Sequence, residues 1–412
     1  MINFNTDKIK NEFLEQATIL ARGTEILPGG VNELAKKLQA ANESGKPLRV
    51  KLGMDPTRPD LHLGHTVVMR KLKKFQEFGH KIVLIVGAAT AMIGDPSGKS
   101  DTRPSLTKDE VEANAKTYFA QMSKVVDISN AEVVNNADWL HKLNLVDIVK
   151  LASNVTVAQI MARDDFAKRY QENKPISIHE YFYPLMQAYD SVIVDSDIEL
   201  GGTDQRFNVL LGREIQLAYG KKDPQMVMLL PLLEGTDGVV KMSKSYPEHC
   251  VSITDSPFDM YGKIMSIPDE LIMRYYSLLT DASNLELKQI EAKLKNSNPR
   301  DIKMSLAHLI VEMYYDQHNA DSAQNDFINI VQKKSIPDDI PEIVIDSDSS
   351  IIELISASGE ISSKSEIKRL ISAGAVKINS EKITDPNYIV LKEYLPVTIQ
   401  FGKRKFLKVR CQ

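Results

Sequence analysis

His62 and His65 stand three residues apart around Leu63 and Gly64, shortly after Asp55-Pro56-Thr57. Residues three apart share one face of a helix, so the two rings point the same way. The apolar stretch Leu48 to Met54 reads as a strand, and His65 to Phe78 as a helix with Val68, Leu72 and Phe75 on one side. The histidines therefore fall where a strand turns into a helix. A helix N-terminus offers unpaired N–H groups and a partial positive charge, which suits phosphate. Gly64 has no side chain to hold a flat ligand ring off the backbone. A metal site or two surface histidines are the competing readings; no third Cys, His or carboxylate stands at a familiar spacing, so no metal is expected.

Three further groups could do chemistry. Lys241-Met242-Ser243-Lys244-Ser245 follows a strand-like run and Glu234-Gly235-Thr236-Asp237-Gly238. Two lysines on a mobile loop can close over a polyphosphate as charge develops, although a solvated basic loop has the same look. Tyr183, Gln187 and Asp190 recur at helical spacing and put a phenol, an amide and a carboxylate on one face. Gly201-Gly202-Thr203-Asp204-Gln205 comes soon after. Gly94-Asp95-Pro96-Ser97-Gly98-Lys99-Ser100 imitates a P-loop, but three residues separate its glycines where that pattern needs four.

These groups need a scaffold. Lys81 to Val86 is a continuous β-branched run, the mark of a strand buried on both sides. Strand, helix and strand then form a parallel unit with a right-handed crossover. Residues 7–41 read as helical, as do 107–126 and 142–152, with Glu132 to Val134 as a strand. A polar helical stretch runs to about 190. Ser191 to Val194 reads as a strand, Asn208 to Tyr219 as a helix and Met226 to Leu230 as a strand. The expected fold is α/β: a doubly wound Rossmann-like parallel sheet, then a helical domain and a small α+β module. The boundaries expected are 1–235 for the sheet domain with an insertion at 130–190, and 236–334 for the loop and helical domain. A Pro, Asp and Ser-rich linker at 335–350 and a final unit at 351–412 complete the chain.

The chain has 412 residues and a net charge of −4, so it is not basic all over. From Ile361 onward, however, eleven Lys and Arg face four Asp and Glu, a basic face hidden in the total. Cys250 and Cys411 form no disulfide framework, which fits a reducing compartment. No basic start precedes an apolar run, and no apolar stretch approaches the roughly 20 residues that span a bilayer. A cytoplasmic location without membrane contact is expected.

In this order, the histidine pair and the lysine loop resemble the HIGH and KMSKS signatures of class I aminoacyl-tRNA synthetases. Gly94 to Lys99, Tyr183 to Asp190 and Gly201 to Gln205 narrow the resemblance to the tyrosyl-tRNA synthetases, and within them to the second bacterial subtype. It covers the chain from about residue 45 to the end. The final unit is similar to a small RNA-binding module named after a ribosomal protein. Three positions depart from the family. Lys51 stands where many relatives have a tyrosine that also contacts the substrate phenol, which leaves open whether its ammonium reaches that phenol. Arg206 replaces a tryptophan, and Leu63 an isoleucine.

The resemblance implies tyrosine activation by ATP, with Mg2+ carried on the nucleotide, then transfer to tRNA(Tyr) by a homodimer joined through the insertion. It implies that Asp190 accepts the phenolic hydrogen of L-tyrosine. Tyr183, Gln187 and Asp95 would hold its α-ammonium, with Gln205 near its carboxylate. Asp55, Gly64, Gly202, Asp204 and Lys244 would bind ATP, with Gly202 and Asp204 at the ribose. Thr57 and His62 would touch the leaving phosphates and His65 would lie near the ribose. Lys99, Arg103, Lys241 and Lys244 would neutralise the departing pyrophosphate. Lys364, Lys368, Arg369, Lys377, Lys403 and Arg404 would meet RNA phosphates. A tRNA-independent adenylating enzyme, a non-enzymatic RNA-binding derivative and a tryptophan enzyme are the alternatives weighed. The basic tail, the retained His62, His65, Lys241 and Lys244, and the Tyr183/Gln187/Asp190 face speak against them in turn.

Overall fold

The computed structural model describes residues 9–56, 60–95, 108–243, 246–332, 340–361, 363–379, 381–402 and 405–411. Six strands form the main sheet: β1 (Glu25–Leu27), β2 (Arg49–Met54), β3 (Lys81–Val86), β4 (Glu132–Asn135), β5 (Ile198–Gly202) and β6 (Met226–Leu230). Their order is β1-β6-β5-β2-β3-β4. β2 to β6 are mutually parallel where they pair, and β1 runs antiparallel to β6. The winding reverses between β2 and β5. Beyond the carboxyl ends of such a pair the connections diverge and leave a crevice.

The central strands need no alternation because both faces are covered. Val83, Leu84 and Ile85 are buried on β3, and Val227, Met228 and Leu229 on β6. The helix Leu63–Glu77 packs Leu72 and Phe75, both fully buried, into the core. It thereby fixes the position of its own N-terminus beside β2. The helices Phe182–Ile193 and Arg206–Ala218 lie together, joined by Leu185, Ala188, Leu211 and Ile215.

Three expectations need correction. Ser191 to Val194 is no strand: the helix Phe182–Ile193 runs through it, and the strand begins at Ile198. The β-branched Val192 is held in the helix by tertiary packing against the cluster of Leu185, Ala188, Leu211 and Ile215, which outweighs its propensity. The first forty residues are not wholly helical, since Glu25–Leu27 adds an edge strand between the helices Asn11–Ala21 and Gly30–Ser44. The expected linker at 335–350 is structured over part of its length. Glu342–Ile345 pairs in parallel with Lys405–Cys411, with Ile343 and Ile345 packed on the core behind them.

The described chain divides into two compact units, Met1–Ser256 with Lys263–Ile310, and Pro257–Gly262 with Val311–Gln412. The sheet and its crevice belong to the first. In the second, the helices Ile351–Ala357 and Lys364–Ser372 cover a five-stranded sheet around Ile355, Ile367, Ile371, Val376, Ile399 and Leu407. Among the described residues no helix is long and apolar enough to cross a membrane.

Phe75→Ala should destabilise the first unit by about 3–5 kcal/mol, the usual cost of emptying an aromatic site in a core. Urea unfolding followed by circular dichroism measures this. A loss well under 1 kcal/mol would mean that the helix Leu63–Glu77 does not depend on this contact.

Candidate active site

Two adjoining cavities occupy the crevice. The first holds about 260 Å³ and is lined by Asp55, Thr90, Asp95, Tyr183, Gln187 and Asp190 among others. The second holds about 330 Å³ and is lined by His62, Gly64, Asp204, Leu232, Lys241 and Ser243 among others. His65, Val68, Gly202 and Gln205 line both, so the two are one continuous cleft.

The histidines close the helix behind them. His62 is the N-cap, and its Nδ1 accepts from the Gly64 N–H at 3.1 Å. The His62 N–H in turn donates to His65 Nδ1 at 3.2 Å, and the ring centroids lie 3.8 Å apart. A nitrogen that accepts carries no proton, so each ring has its N–H on Nε2. That is a donor suited to a phosphate or hydroxyl oxygen. Gly64 is needed for this fold-back, because a Cβ there would meet the His62 ring at 3.0 Å. The segment is also sewn to the chain beyond the lysine loop, through Leu63 N–H to Val251 O and Ile253 N–H to Leu61 O.

The lysine loop starts from a short ladder, in which Gly235 N–H donates to Val240 O and Met242 N–H to Leu233 O. Lys241 reaches Asp204 at 3.0 Å, a half-exposed ion pair. Such a pair contributes only about 0–1 kcal/mol and opens readily. Gly202 admits this arrangement, since a Cβ would lie 2.6 Å from Asp204 Oδ1.

The first cavity is lined by buried polar groups. Asp190, 3% exposed, accepts from Trp139 Nε1 at 2.8 Å and Asn136 Nδ2 at 3.2 Å. Burial pushes its carboxyl up to about 7, against the opposing pull of Lys51 and of these two donors. Asp55 accepts from Thr90 Oγ1 at 2.8 Å and Tyr183 Oη at 2.9 Å. Burial and then the charge of Asp95 raise it likewise to about 7. Gly87 makes room, because any Cβ there would collide with the Asp55 carboxylate. Gln187 Oε1 is buried without a hydrogen-bond partner among the described residues, an acceptor in want of a donor. Gly94, at φ 84°, ends the short helix Ala88–Ile93 in the left-handed region and turns the chain into Asp95. Asp95 accepts from Gln205 Nε2 at 3.0 Å. Gln205 is held by Asn208, and Asn208 by the buried Arg163, which also pairs with Asp165.

The structure thus brings Asp55, His62, Gly64, His65, Asp95, Tyr183, Gln187, Asp190, Gly202, Asp204, Gln205 and Lys241 to one cleft. Thr57, Lys99, Arg103, Lys244, Lys403 and Arg404 lie outside the described residues. Lys364, Lys368 and Arg369 are exposed on the helix Lys364–Ser372, and Lys377 on a strand of the second unit. Lys377 stands opposite Lys382 in the register of that sheet, a like-charge pair that an anion would relieve. Lys51 does not line the cavity. Arg206 pairs with Glu25 of β1, which gives it a structural partner on the sheet edge.

Thr90, Asn136, Trp139, Glu199 and Arg163 escaped the sequence reading. Trp139 alone carried a signal, as the single tryptophan of the chain directly after a strand. Among the described residues no three His, Cys, Asp or Glu side chains gather as a metal site.

Comparison with known proteins gives the family. Residues 43–332 match the family model described as tRNA synthetases class I (W and Y), and residues 352–394 the S4 domain. The tyrosine–tRNA ligase of Carboxydothermus hydrogenoformans is 48% identical, covering 97% of this chain and 98% of its own. That of Thermotoga maritima is 50% identical, covering 96% and 97%. Among solved structures, the tyrosyl-tRNA synthetase of Aeropyrum pernix superposes with a TM-score of 0.59 at 25% identity, covering 78% of this chain and 99% of that one. The tyrosyl-tRNA synthetase of Archaeoglobus fulgidus, complexed with L-tyrosine, gives 0.61 at 23% identity over 76% and 99%, a likeness of fold. With these relatives matched over nearly its whole length, the chain belongs to the tyrosyl-tRNA synthetases of class I, with an S4 domain near its C-terminus.

Proposed function

We propose that this chain activates L-tyrosine with ATP and transfers it to tRNA(Tyr), with the residue roles that follow. The observation that carries the reading is the continuity of the cleft: a carboxylate–amide–phenol cavity opens into a histidine–lysine cavity through shared walls. A substrate spanning both would place its phenol at Asp190 and its carboxylate at the junction, near Gln205 and His65. The Gln187 Oε1, buried without a partner, fits the α-ammonium, with Tyr183 and Asp95 beside it.

In the first step a tyrosine carboxylate oxygen attacks the α-phosphorus of ATP. The bond from that phosphorus to the bridging oxygen breaks, and pyrophosphate leaves. The carboxylate is already ionised at neutral pH, so no general base is needed. Positioning and charge stabilisation do the rest. Thr57 and the Nε2–H of His62 face the leaving phosphates, the Nε2–H of His65 lies by the ribose, and Asp55 and Gly64 border the nucleotide. The ribose hydroxyls take Asp204 and the Gly202 backbone, and Lys241 is thereby released from Asp204. Lys99, Arg103, Lys241 and Lys244 neutralise the pyrophosphate. Mg2+ would arrive with ATP, held mainly by its phosphate oxygens, and would supply charge neutralisation there. In the second step the hydroxyl of the terminal tRNA adenosine attacks the acyl carbon and AMP leaves. Lys364, Lys368, Arg369, Lys377, Lys403 and Arg404 supply phosphate contacts, which give affinity more than sequence reading.

The organisation proposed is a catalytic domain over 1–235, a loop and helical domain over 236–334, a connection at 335–350 and the RNA-binding unit over 351–412. We also propose a homodimer joined through 130–190, working in the cytoplasm. Leu145, Val146, Val157, Tyr170 and Ile178 of that insertion are each at least two-thirds exposed, an apolar surface suited to a second copy.

The direct test is amino-acid-dependent ATP–pyrophosphate exchange with tyrosine, phenylalanine and tryptophan in parallel, followed by charging of tRNA(Tyr). Exchange with tyrosine alone is expected, and no exchange with any of them would overturn the reading. Asp190→Ala should erode discrimination against phenylalanine, because a buried acceptor left unpaired is what rejects it. Unchanged discrimination would remove Asp190 from the phenol site. Lys241→Ala should slow exchange about 10²–10³-fold, as lost transition-state donors do, with tyrosine affinity nearly unchanged. Equal losses in both would deny it that role.

A pH dependence follows from the raised carboxyls. The ionised Asp190 accepts the phenolic hydrogen more strongly than the neutral acid does, so tyrosine affinity should fall as pH drops through about 7. Asp55 titrates in the same range, so Asp190→Asn separates the two. Calorimetric titration between pH 5.5 and 8.5 should show a slope that the variant loses in large part. A flat profile in the parent protein would contradict the assignment.

A further inference from the structure

Lys51 lies on β2 with no exposed surface, one residue before the stretch Leu52 to Asp55 that lines the tyrosine-side cavity. Its Nζ donates to Glu199 Oε1 at 2.9 Å, to Ser191 Oγ at 2.6 Å and to the Gln187 carbonyl at 3.1 Å. An ammonium has three donors, and all three are used behind the cavity. The other Glu199 oxygen accepts from Ser191 Oγ at 3.0 Å and from Gln225 Nε2. Glu199, 1% exposed, is on β5, the strand across the switch point. Lys51 and Glu199 face each other in the β2–β5 register. Gly212 of the helix Arg206–Ala218 leaves the space, since a Cβ would lie 2.7 Å from Gln225 Nε2 and 2.9 Å from Ser191 Oγ.

Replacing a buried ion pair by apolar groups is often neutral or stabilising, so stability alone is a weak reason for this one. Its location supplies another. Gln187 and Ser191 lie one turn apart on the helix that carries Tyr183, Gln187 and Asp190. We infer that the Lys51–Glu199 pair is a specificity-determining positioning element. It ties that helix to β2 and β5 at the switch point, and its lysine sets a positive charge behind Asp190 so that the carboxylate meets the phenol ionised. The inference rests on the proposed role of Asp190 as the phenol acceptor. The charged groups near Asp190 are Lys51, Glu199 and, across the cavity, Asp55; Trp139 and Asn136 are its neutral donors. Lys51 is the largest influence opposing burial at that carboxyl, and Glu199 acts the other way.

The test compares Lys51→Met with the double variant Lys51→Met/Glu199→Gln, in which no buried charge is left alone. Tyrosine binding is measured by calorimetry across pH, with the ATP KM and thermal melting alongside. Lys51→Met leaves Glu199 unpaired and melts at a lower temperature. The double variant should recover its melting temperature but still bind tyrosine about tenfold more weakly at pH 6 or below. Its pH midpoint should move upward, because the charge that favoured the ionised carboxyl is gone. The ATP KM should stay within about twofold, a shift of under half a kcal/mol. If the double variant regains tyrosine affinity and the parent pH midpoint along with stability, the pair is structural only and the inference is overturned. Should Lys51→Met fail to fold, the double variant alone decides. Asp190→Ala, run beside them, tells the two readings apart. Lost discrimination there with normal binding in the double variant sinks only the positioning role. Unchanged discrimination there sinks the phenol assignment beneath it.

Discussion

Between β2 and β5 the sheet reverses its winding, and the chemistry of this chain depends on the gap that results. Helices on either side diverge there, so strand ends can reach a ligand without a helix in the way. Asp55 leaves β2, Gly201 and Gly202 end β5, and Gly87 follows β3, all on one rim. The helix Leu63–Glu77 begins on the same rim, and His62, Gly64 and His65 at its start line the cleft. A histidine-bearing helix end and a carboxylate-bearing cavity come to lie side by side because the topology places both at the same seam.

The seam imposes an electrostatic constraint. Asp55 and Asp190 lose much of their hydration in the first cavity, and burial favours their protonated forms. Neutral donors from Thr90, Tyr183, Trp139 and Asn136 work against that, as does the ammonium of Lys51. The outcome is a pair of carboxyls poised near neutrality, where a substrate that donates a hydrogen bond tips the balance. Under the proposed roles, a phenol entering this cavity offers such a donor and a bare ring does not.

Much of this was open to a reader of the residues, and the reasons for the remainder are physical. Lys81 to Val86 and Met226 to Leu230 announce themselves because strands covered on both faces are continuously apolar. Ser191 to Val194 misleads by the same rule, since a short apolar β-branched run is equally at home at the end of a helix packed on one side. The cleft residues were legible where they share a turn of helix or a loop, as His62 with His65 and Tyr183 with Gln187 and Asp190. They were illegible where the partner is distant in the chain. Nothing local to Lys51 points to Glu199, nor anything local to Asp190 to Trp139 and Asn136. Likewise Pro341, Asp346 and Asp348 look like a linker, while only the tertiary fold shows Glu342–Ile345 completing a sheet with Lys405–Cys411.

The fold-back of His62 and His65 onto their own helix has a consequence for anyone reading kinetics. The nitrogens that hold the helix end closed belong to the same rings that present donors to the cleft. Deleting either ring therefore frays a terminus while it removes the proposed phosphate or ribose donor, and the two losses reach the assay as one number. A rate defect in such a variant measures misplacement and missing chemistry together. A residue with an amide in place of the imidazole could keep the fastening and drop much of the reagent, so the comparison between truncation and amide is what resolves fastening from chemistry at this end of the cleft.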